Sequence, residues 1–128
     1  MYHERFIQRI TTVLETGMAR GELRKIDLQK GSKVGSALIR QPDNLSWTMD
    51  GRLLATSLLQ GMDFDTCRNL KTGFCPVPFA VYEVNPLTLA PQKIFGHAGE
   101  DFGAATVATP MGEWIYIGTF AGDRIAKF

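Results

Sequence analysis

Turn-forming residues interrupt this sequence along its whole length. Thirteen glycines and six prolines are spread over 128 residues, and such residues mark turns between short elements rather than the interiors of long helices. The runs between them carry β-branched and aromatic side chains, as at 79–84 and 114–120, which is typical of strands. The spacing of turn residues therefore predicts an all-β fold.

The predicted strands pair into hairpins at 10–28, 45–59, 79–95 and 104–120. The second has the strongest local signal, because Asp50-Gly51 stands between two apolar runs and both residue types accept the positive φ of a type I′ turn. A helix over 6–14 competes with the first strand, but β-branched residues within it favour a strand. Residues 60–76 are polar and irregular and predict a long loop, and a last short strand is predicted at 124–128.

An internal repeat relates the two apolar hairpins. Residues 49–56 read Met-Asp-Gly-Arg-Leu-Leu-Ala-Thr and residues 111–118 read Met-Gly-Glu-Trp-Ile-Tyr-Ile-Gly, at an offset of 62. Short strands in repeated sets of four are the sequence signature of a β-propeller, in which one blade takes roughly 40 to 50 residues. We therefore expect a partial β-propeller of about two to three four-stranded antiparallel blades: the end of one blade at 1–40, a full blade at 41–98 and the start of the next at 99–128.

Charge and hydropathy exclude several classes of partner. Lys+Arg number 14 against Asp+Glu 13, and the basic residues are scattered, so the clustered basic face of a nucleic-acid binder is missing. The longest apolar runs, such as 53–59, fall well short of the roughly 20 residues that cross a bilayer, which predicts no membrane span. No apolar segment of signal-peptide length follows the charged first residues, so nothing in the sequence directs export.

Several motifs occur in an order that resembles the C-terminal part of the paraoxonase (arylesterase) and gluconolactonase-like propellers. They are Pro-Asp-Asn-Leu-Ser at 42–46, Asp-Gly-Arg-Leu-Leu at 50–54, Thr-Val-Ala at 106–108 and Ile-Gly-Thr-Phe at 117–120, while Cys-Pro-Val-Pro-Phe at 75–79 is similar to a loop of bacterial members. The resemblance implies a six-bladed propeller with a calcium ion at its centre. It also implies an enzyme that hydrolyses small-molecule lactones or aryl esters. It also implies a parent protein that is periplasmic or secreted.

Asp43 and Asn44 match the calcium-binding pair of that family, and Asp43 would also inherit the role of catalytic base. Carboxylate and amide oxygens are the ligands that a hard cation prefers. Pro-Asp-Asn is equally ordinary turn chemistry, in which both side chains accept hydrogen bonds from nearby backbone. Calcium needs about 6 to 8 oxygens, so the resemblance implies that the remaining ligands come from other blades and that this segment is incomplete by itself.

Three further residues match positions near the family's substrate pocket: Phe120, Gly122 and Phe102. Core packing or a strand-end turn is the alternative for each of them. Cys67 and Cys75 would form a disulfide in an exported protein and stay as two thiols in a cytosolic one, and neither has a partner at zinc-binding spacing. His3 and His97 assemble no catalytic triad by any spacing argument.

Three functions remain open at this stage. The first is a calcium-dependent lactonase or arylesterase segment. The second is a non-catalytic propeller segment that self-associates or is completed by complementing blades, because an open array leaves strand edges exposed. The third is a propeller that binds small ligands without hydrolysing them.

Overall fold

The computed structural model describes residues 21–59 and 67–128 and, for the backbone, residues 12–17. Ten strands make up nearly all the regular structure of this part, where only residues 67–68 are helical, and this confirms the all-β prediction. No helix in these ranges is long and apolar enough to cross a membrane. The strands are β1 (Thr12–Gly17), β2 (Glu22–Asp27), β3 (Ser32–Leu38), β4 (Pro42–Trp47), β5 (Leu53–Leu58), β6 (Phe79–Val84), β7 (Pro91–His97), β8 (Ala105–Met111), β9 (Trp114–Thr119) and β10 (Ala126–Lys127).

The strands form three antiparallel sheets in which sequence neighbours pair. The sheets have the orders β1-β2-β3, β4-β5-β6-β7 and β10-β9-β8, and the described residues form no closed barrel. Short loops that reverse the chain explain this order, because antiparallel neighbours need only a few connecting residues. The predicted hairpins at 45–59 and 104–120 are present as β4–β5 and β8–β9.

The turn between β4 and β5 differs from the predicted type I′ turn. Only Gly51 has a positive φ, of 85°, whereas type I′ needs positive φ at both central residues. The backbone N–H of Thr48 donates to Arg52 O at 2.9 Å, so the closed loop holds three residues rather than two. The Thr48 hydroxyl also accepts from the backbone N–H of Arg52 at 2.9 Å, and this extra bond favours the longer loop.

Strand β3 lies outside the predicted hairpins. β3 is an edge strand of its sheet, and its side chains are exposed on both faces, as at Ser32 and Lys33. A strand that is solvated on both faces lacks the alternation of apolar and polar residues that identifies a half-buried strand in sequence. The first predicted strand, 10–14, overlaps β1 from residue 12 onward, and its first two residues lie outside the described ranges. The last predicted strand, 124–128, shortens to the two residues of β10.

The core occupies both faces of the central sheet, because β5 is buried along its whole length. Leu54 and Leu58 pack in one apolar cluster with Ile117 of β9 and Ala108 of β8. Alternate residues of β5 point to the opposite face, where Leu53 and Ala55 pack in a second cluster. That cluster includes Leu23 of β2 and Ala37 of β3. The three sheets are therefore stacked face to face, with β4–β7 in the middle.

Thr56 on β5 is a polar residue within this core. Its side chain is fully buried and its hydroxyl has no hydrogen-bond partner among the described residues. A buried hydroxyl without a partner costs about 1–3 kcal/mol. We expect Thr56→Val, which has nearly the same shape, to raise the free energy of unfolding by about 1 kcal/mol in urea titrations. The exposed Thr109→Val is the control, and a loss of stability in Thr56→Val would contradict this reasoning.

Candidate functional site

Asp43 and Asn44 lie in an irregular pairing at the start of β4. Pro42 is opposite Ser57 while Leu45 is opposite Ala55, so β4 holds one extra residue in this interval. An extra residue of this kind, a β-bulge, breaks the alternation of side chains and re-aims them. Pro42 contributes, since it has no N–H to donate to the ladder. In a regular strand, one of two successive side chains would point into the stack of sheets. The bulge interrupts this alternation at Asp43 and Asn44.

The carboxyl group of Asp43 is partly buried, and Asn44 is exposed. Burial raises the pKa of Asp43 above its ordinary value, and the backbone hydrogen bond from Asn44 opposes this effect only in part. Within residues 21–59 and 67–128, no lysine, arginine or histidine forms an ion pair with Asp43. The pair thus presents a carboxylate and an amide oxygen, which suit a hard cation.

The described residues hold no cluster of three or more acidic, histidine or cysteine side chains placed to bind a metal. Asp43 and Asn44 together can therefore supply only part of a calcium coordination shell of about 6 to 8 oxygens. A complete site at this position needs further oxygens from backbone carbonyls, water or groups outside the described ranges.

Strand β8 repeats the geometry of β4 without repeating its chemistry. Its pairing with β9 also shifts near the start, between Ala105 and Val107. The sequence offset of 62 places Ala105 and Thr106 where β4 has Asp43 and Asn44. The Ser46 hydroxyl donates to Ala108 O, also 62 residues away, so equivalent positions of the two strands lie side by side. The carboxylate and amide pair is therefore a property of one repeat only.

The three predicted pocket residues occupy different surroundings. Phe120 directly follows β9, whose Thr119 is opposite Ala105 at the start of β8, and it is 42% exposed. Phe102 is buried and meets the ring of Phe79 edge-on, with the centroids 5.9 Å apart. Gly122 forms an isolated bridge with Phe74 at a φ of 125°. Phe120 is thus the one residue of the three that offers an aromatic side chain to solvent.

Cys67 and Cys75 are joined by a disulfide bond, with their Cα atoms 5.6 Å apart. Both residues are buried in the cluster that includes Phe79 and Phe102. The bond closes a short loop, for which chain entropy gives a stabilisation of about 2 to 3 kcal/mol. It ties the segment before β6 to the core, close in sequence to the Phe74–Gly122 bridge.

The side chain of His97 packs against an aromatic ring and accepts a hydrogen bond from the nearby backbone. Its ring stacks on Phe79 at 5.4 Å between centroids, and its Nδ1 accepts from the backbone N–H of Gly99 at 3.1 Å. One ring nitrogen is therefore engaged in shaping the loop after β7, and the packed ring is held in place. His3, the other histidine, lies outside the described residues.

No protein-family model and no curated protein matches this chain. The likeness to paraoxonase and gluconolactonase-like propellers therefore stays a prediction that rests on the motifs. The position of Asp43 and Asn44 at the bulge of β4 does not depend on that likeness.

A second feature, which was not predicted, lies beyond the other end of β4. A cavity of about 470 Å³ lies between the β4–β5 loop and the β8–β9 turn, lined by Met49, Arg52 and Met111 among others. Arg52 Nε lies 2.9 Å from Asp50 Oδ2, and Arg52 Nη1 lies 2.6 Å from Glu83 Oε2. Sequence reasoning used Asp50-Gly51 only as a turn signal, although loops between strands often carry binding residues.

Hydrogen bonds stabilise the charged forms of Asp50 and Arg52 at this end of the sheet. Hydrogen bonds from the Thr48 hydroxyl and then from Arg52 hold the pKa of Asp50 below its ordinary value. The hydrogen bond to Asp50 raises the pKa of Arg52. Asp50 and Arg52 are therefore both ionised near neutral pH.

Proposed function

We propose that this chain is the C-terminal segment of a calcium-dependent β-propeller hydrolase that acts on lactones or aryl esters. The observation that carries the proposal is the partly buried Asp43 beside Asn44, at the bulge that opens β4. A carboxylate in that position, without a cationic partner among the described residues, is costly unless it is protonated or binds a cation.

The order of the sheets supports the propeller part of the proposal. Each sheet is an antiparallel meander, and the offset of 62 relates β8 and β9 to β4 and β5. On this interpretation β4 and β8 are the innermost strands of adjacent blades, which agrees with the hydrogen bond between Ser46 and Ala108. The β1–β3 sheet is then the outer part of the preceding blade.

The chain's own residues have defined roles in the proposed reaction. Asp43 and Asn44 would hold a calcium ion through a carboxylate and an amide oxygen, and the bound ion would supply polarisation of the ester carbonyl. Asp43 would take a proton from water while the water oxygen bonds to the carbonyl carbon. The bond between that carbon and the alcohol oxygen would then break, and Asp43 would return the proton to the leaving alcohol oxygen. Phe120 offers an apolar contact for an aryl or lactone ring.

Hydrolysis of phenyl acetate and of a δ-lactone, with and without calcium, tests this proposal. We expect calcium-dependent turnover that falls by about 100-fold or more in Asp43→Asn, since the base and a ligand are both lost. Asp101→Asn is the matched control, because Asp101 is an exposed loop carboxylate. Turnover that is independent of calcium, or equal in Asp43→Asn, would overturn the proposal. Calcium binding without turnover would instead favour a ligand-binding propeller.

The raised pKa of Asp43 gives a pH-dependent prediction in the absence of calcium. A carboxyl group whose pKa is higher in the folded state stabilises the fold below its unfolded pKa of about 4, and this contribution is lost as the pH rises through the folded pKa. Asp43→Asn removes the buried charge. We therefore expect it to be more stable than the parent at pH 7, with the difference disappearing below about pH 4. Urea midpoints across this range are the measurement, and a constant difference would contradict it.

A non-catalytic assembly module is the second candidate, and the outer sheets favour it. Trp114 and Tyr116 on β9 are 46% and 37% exposed, and Leu38 on β3 is 82% exposed. Large exposed apolar side chains on sheet faces favour self-association or cover by complementing blades. Light scattering that finds a stable dimer, together with absent turnover, would support this candidate. A monomer at all concentrations would count against it.

A further inference from the structure

We propose that the groove between the β4–β5 loop and the β8–β9 turn binds an alkylammonium group, carried by a free amine or by a lysine side chain. The β4–β5 loop comprises residues 48–52 and the β8–β9 turn comprises residues 112–113, which Pro110 and Met111 precede at the end of β8. The groove follows the end of β4, whereas Asp43 is at its start. The two sites are therefore separate, and either can be present without the other.

The groove has the size of a small-molecule site. Its volume is about 470 Å³, within the range of roughly 300–1,000 Å³ that is usual for ligand pockets. An adjoining space of about 200 Å³ shares Thr48, Arg52 and Pro110 with it and extends to Glu83 and Glu113. A ligand can therefore place one end in the groove and the other beside these carboxylates.

Two exposed methionines form the apolar part of the groove. Met49 and Met111 occupy equivalent positions in the two hairpins, 62 residues apart. Their side chains are 105% and 62% exposed, although both are apolar. Methionine is flexible and polarisable, and surfaces that accept varied apolar chains use it often. The pair suits an alkyl chain laid between the hairpin tips.

The charges of the groove select a cation. The groove itself holds the Asp50 carboxylate and the Arg52 guanidinium. The adjoining space adds the carboxylates of Glu83 and Glu113. Arg52 is already bonded to Asp50 and Glu83, so it offers little to an anionic ligand. Within the described ranges, Glu113 has no ion-pair partner. Its carboxylate is the group to which an incoming ammonium would bind.

Trp114, which lines the adjoining space, already contacts a cation. The Lys127 ammonium is 4.4 Å from the centroid of the Trp114 ring, at a distance typical of a cation–π contact. With Lys127 included, the carboxylates still outnumber the cations. The local potential therefore favours an incoming ammonium and repels a carboxylate of the same length.

Methyl NMR of methionine tests the proposal, because the chain has five methionines and two of them line the groove. Met49→Leu and Met111→Leu assign the two signals. Titration with hexylammonium chloride is expected to shift both signals with saturation below about 10 mM, an affinity reasonable for so small a ligand. Sodium hexanoate, of matched chain length, is expected to leave them in place.

Variants separate charge recognition from simple apolar contact. Glu113→Gln is expected to weaken hexylammonium binding at least threefold, while Glu100→Gln, at an exposed position away from the groove, leaves it unchanged. A peptide with one lysine between two leucines tests whether a protein supplies the alkylammonium group. Tighter binding of the peptide than of hexylammonium assigns the site to a protein segment. Equal or weaker binding assigns it to free amines. Equal shifts with hexanoate, no effect of Glu113→Gln, or no shift at all would overturn the proposal.

Discussion

Phe79→Ala is expected to lower the free energy of unfolding by about 3 to 5 kcal/mol, the range for removing a buried phenylalanine from a core. Phe79 is fully buried at the start of β6, between Leu58 of β5 and His97 of β7 in the register of the sheet. Its ring lies near those of Phe95, His97 and Phe102, with centroids 6.1, 5.4 and 5.9 Å away. The lost ring would leave a cavity that these packed neighbours cannot fill.

The matched control for this variant is Phe120→Ala. Phe120 is 42% exposed, so its removal is expected to cost clearly less than removal of the fully buried Phe79. Urea unfolding followed by tryptophan fluorescence measures both variants. Typical domains have a total stability of about 5–15 kcal/mol, so Phe79→Ala is expected to remove a substantial part of it. Equal effects of the two variants would show that the cluster around Phe79 does not stabilise the stack of sheets.

Gly103→Ala is expected to destabilise the fold by about 3 kcal/mol or more, at the upper end for overpacking. A Cβ atom at Gly103 would lie 2.1 Å from Cys75 O, 2.8 Å from Val77 N and 2.9 Å from Val77 O. All three contacts are with backbone, and the disulfide and the core hold that backbone in place. The chain must therefore shift to accept a single methyl group.

Gly96→Ala is the control for the steric part of this prediction. A Cβ atom there would also come within 2.7 Å of another atom, but that atom is the Cε of Lys93, at the end of a flexible side chain. Lys93 can rotate away, so we expect a loss below about 1 kcal/mol. Thermal unfolding of both variants distinguishes the two cases. Similar losses in Gly96→Ala and Gly103→Ala would mean that the close approach of residues 75–77 to Gly103 is not rigid.

Much of the fold could be predicted from local sequence patterns. Strands such as β5, β6 and β9 carry runs of apolar residues between turn residues, and periodicity detects such runs well. β3 was not predicted in full because an edge strand with exposed side chains has no such run. The loop after β4 was predicted to be shorter, because the hydrogen bond from the Arg52 backbone N–H to the Thr48 hydroxyl depends on a side chain that dipeptide turn preferences ignore.

The candidate sites could be predicted from the sequence to different degrees. Asp43 and Asn44 were predicted through their motif, but the bulge that re-aims them follows from pairing with β5, which is a tertiary property. The burial of Phe102 likewise depends on how the last sheet packs on the central one. The groove between the hairpin tips was not predicted, because Met49 and Met111 come together only when the two repeats lie side by side.

Calcium titration of the unfolding temperature at pH 7 tests the central claim, that Asp43 and Asn44 form part of a calcium site. We predict that the unfolding temperature of the parent chain and of Asp101→Asn rises with calcium up to about 10 mM, because a ligand that binds only the folded state stabilises it. Asp43→Asn should start from a higher temperature and show no rise. An unfolding temperature that does not respond to calcium, or an equal rise in Asp43→Asn, would contradict the account.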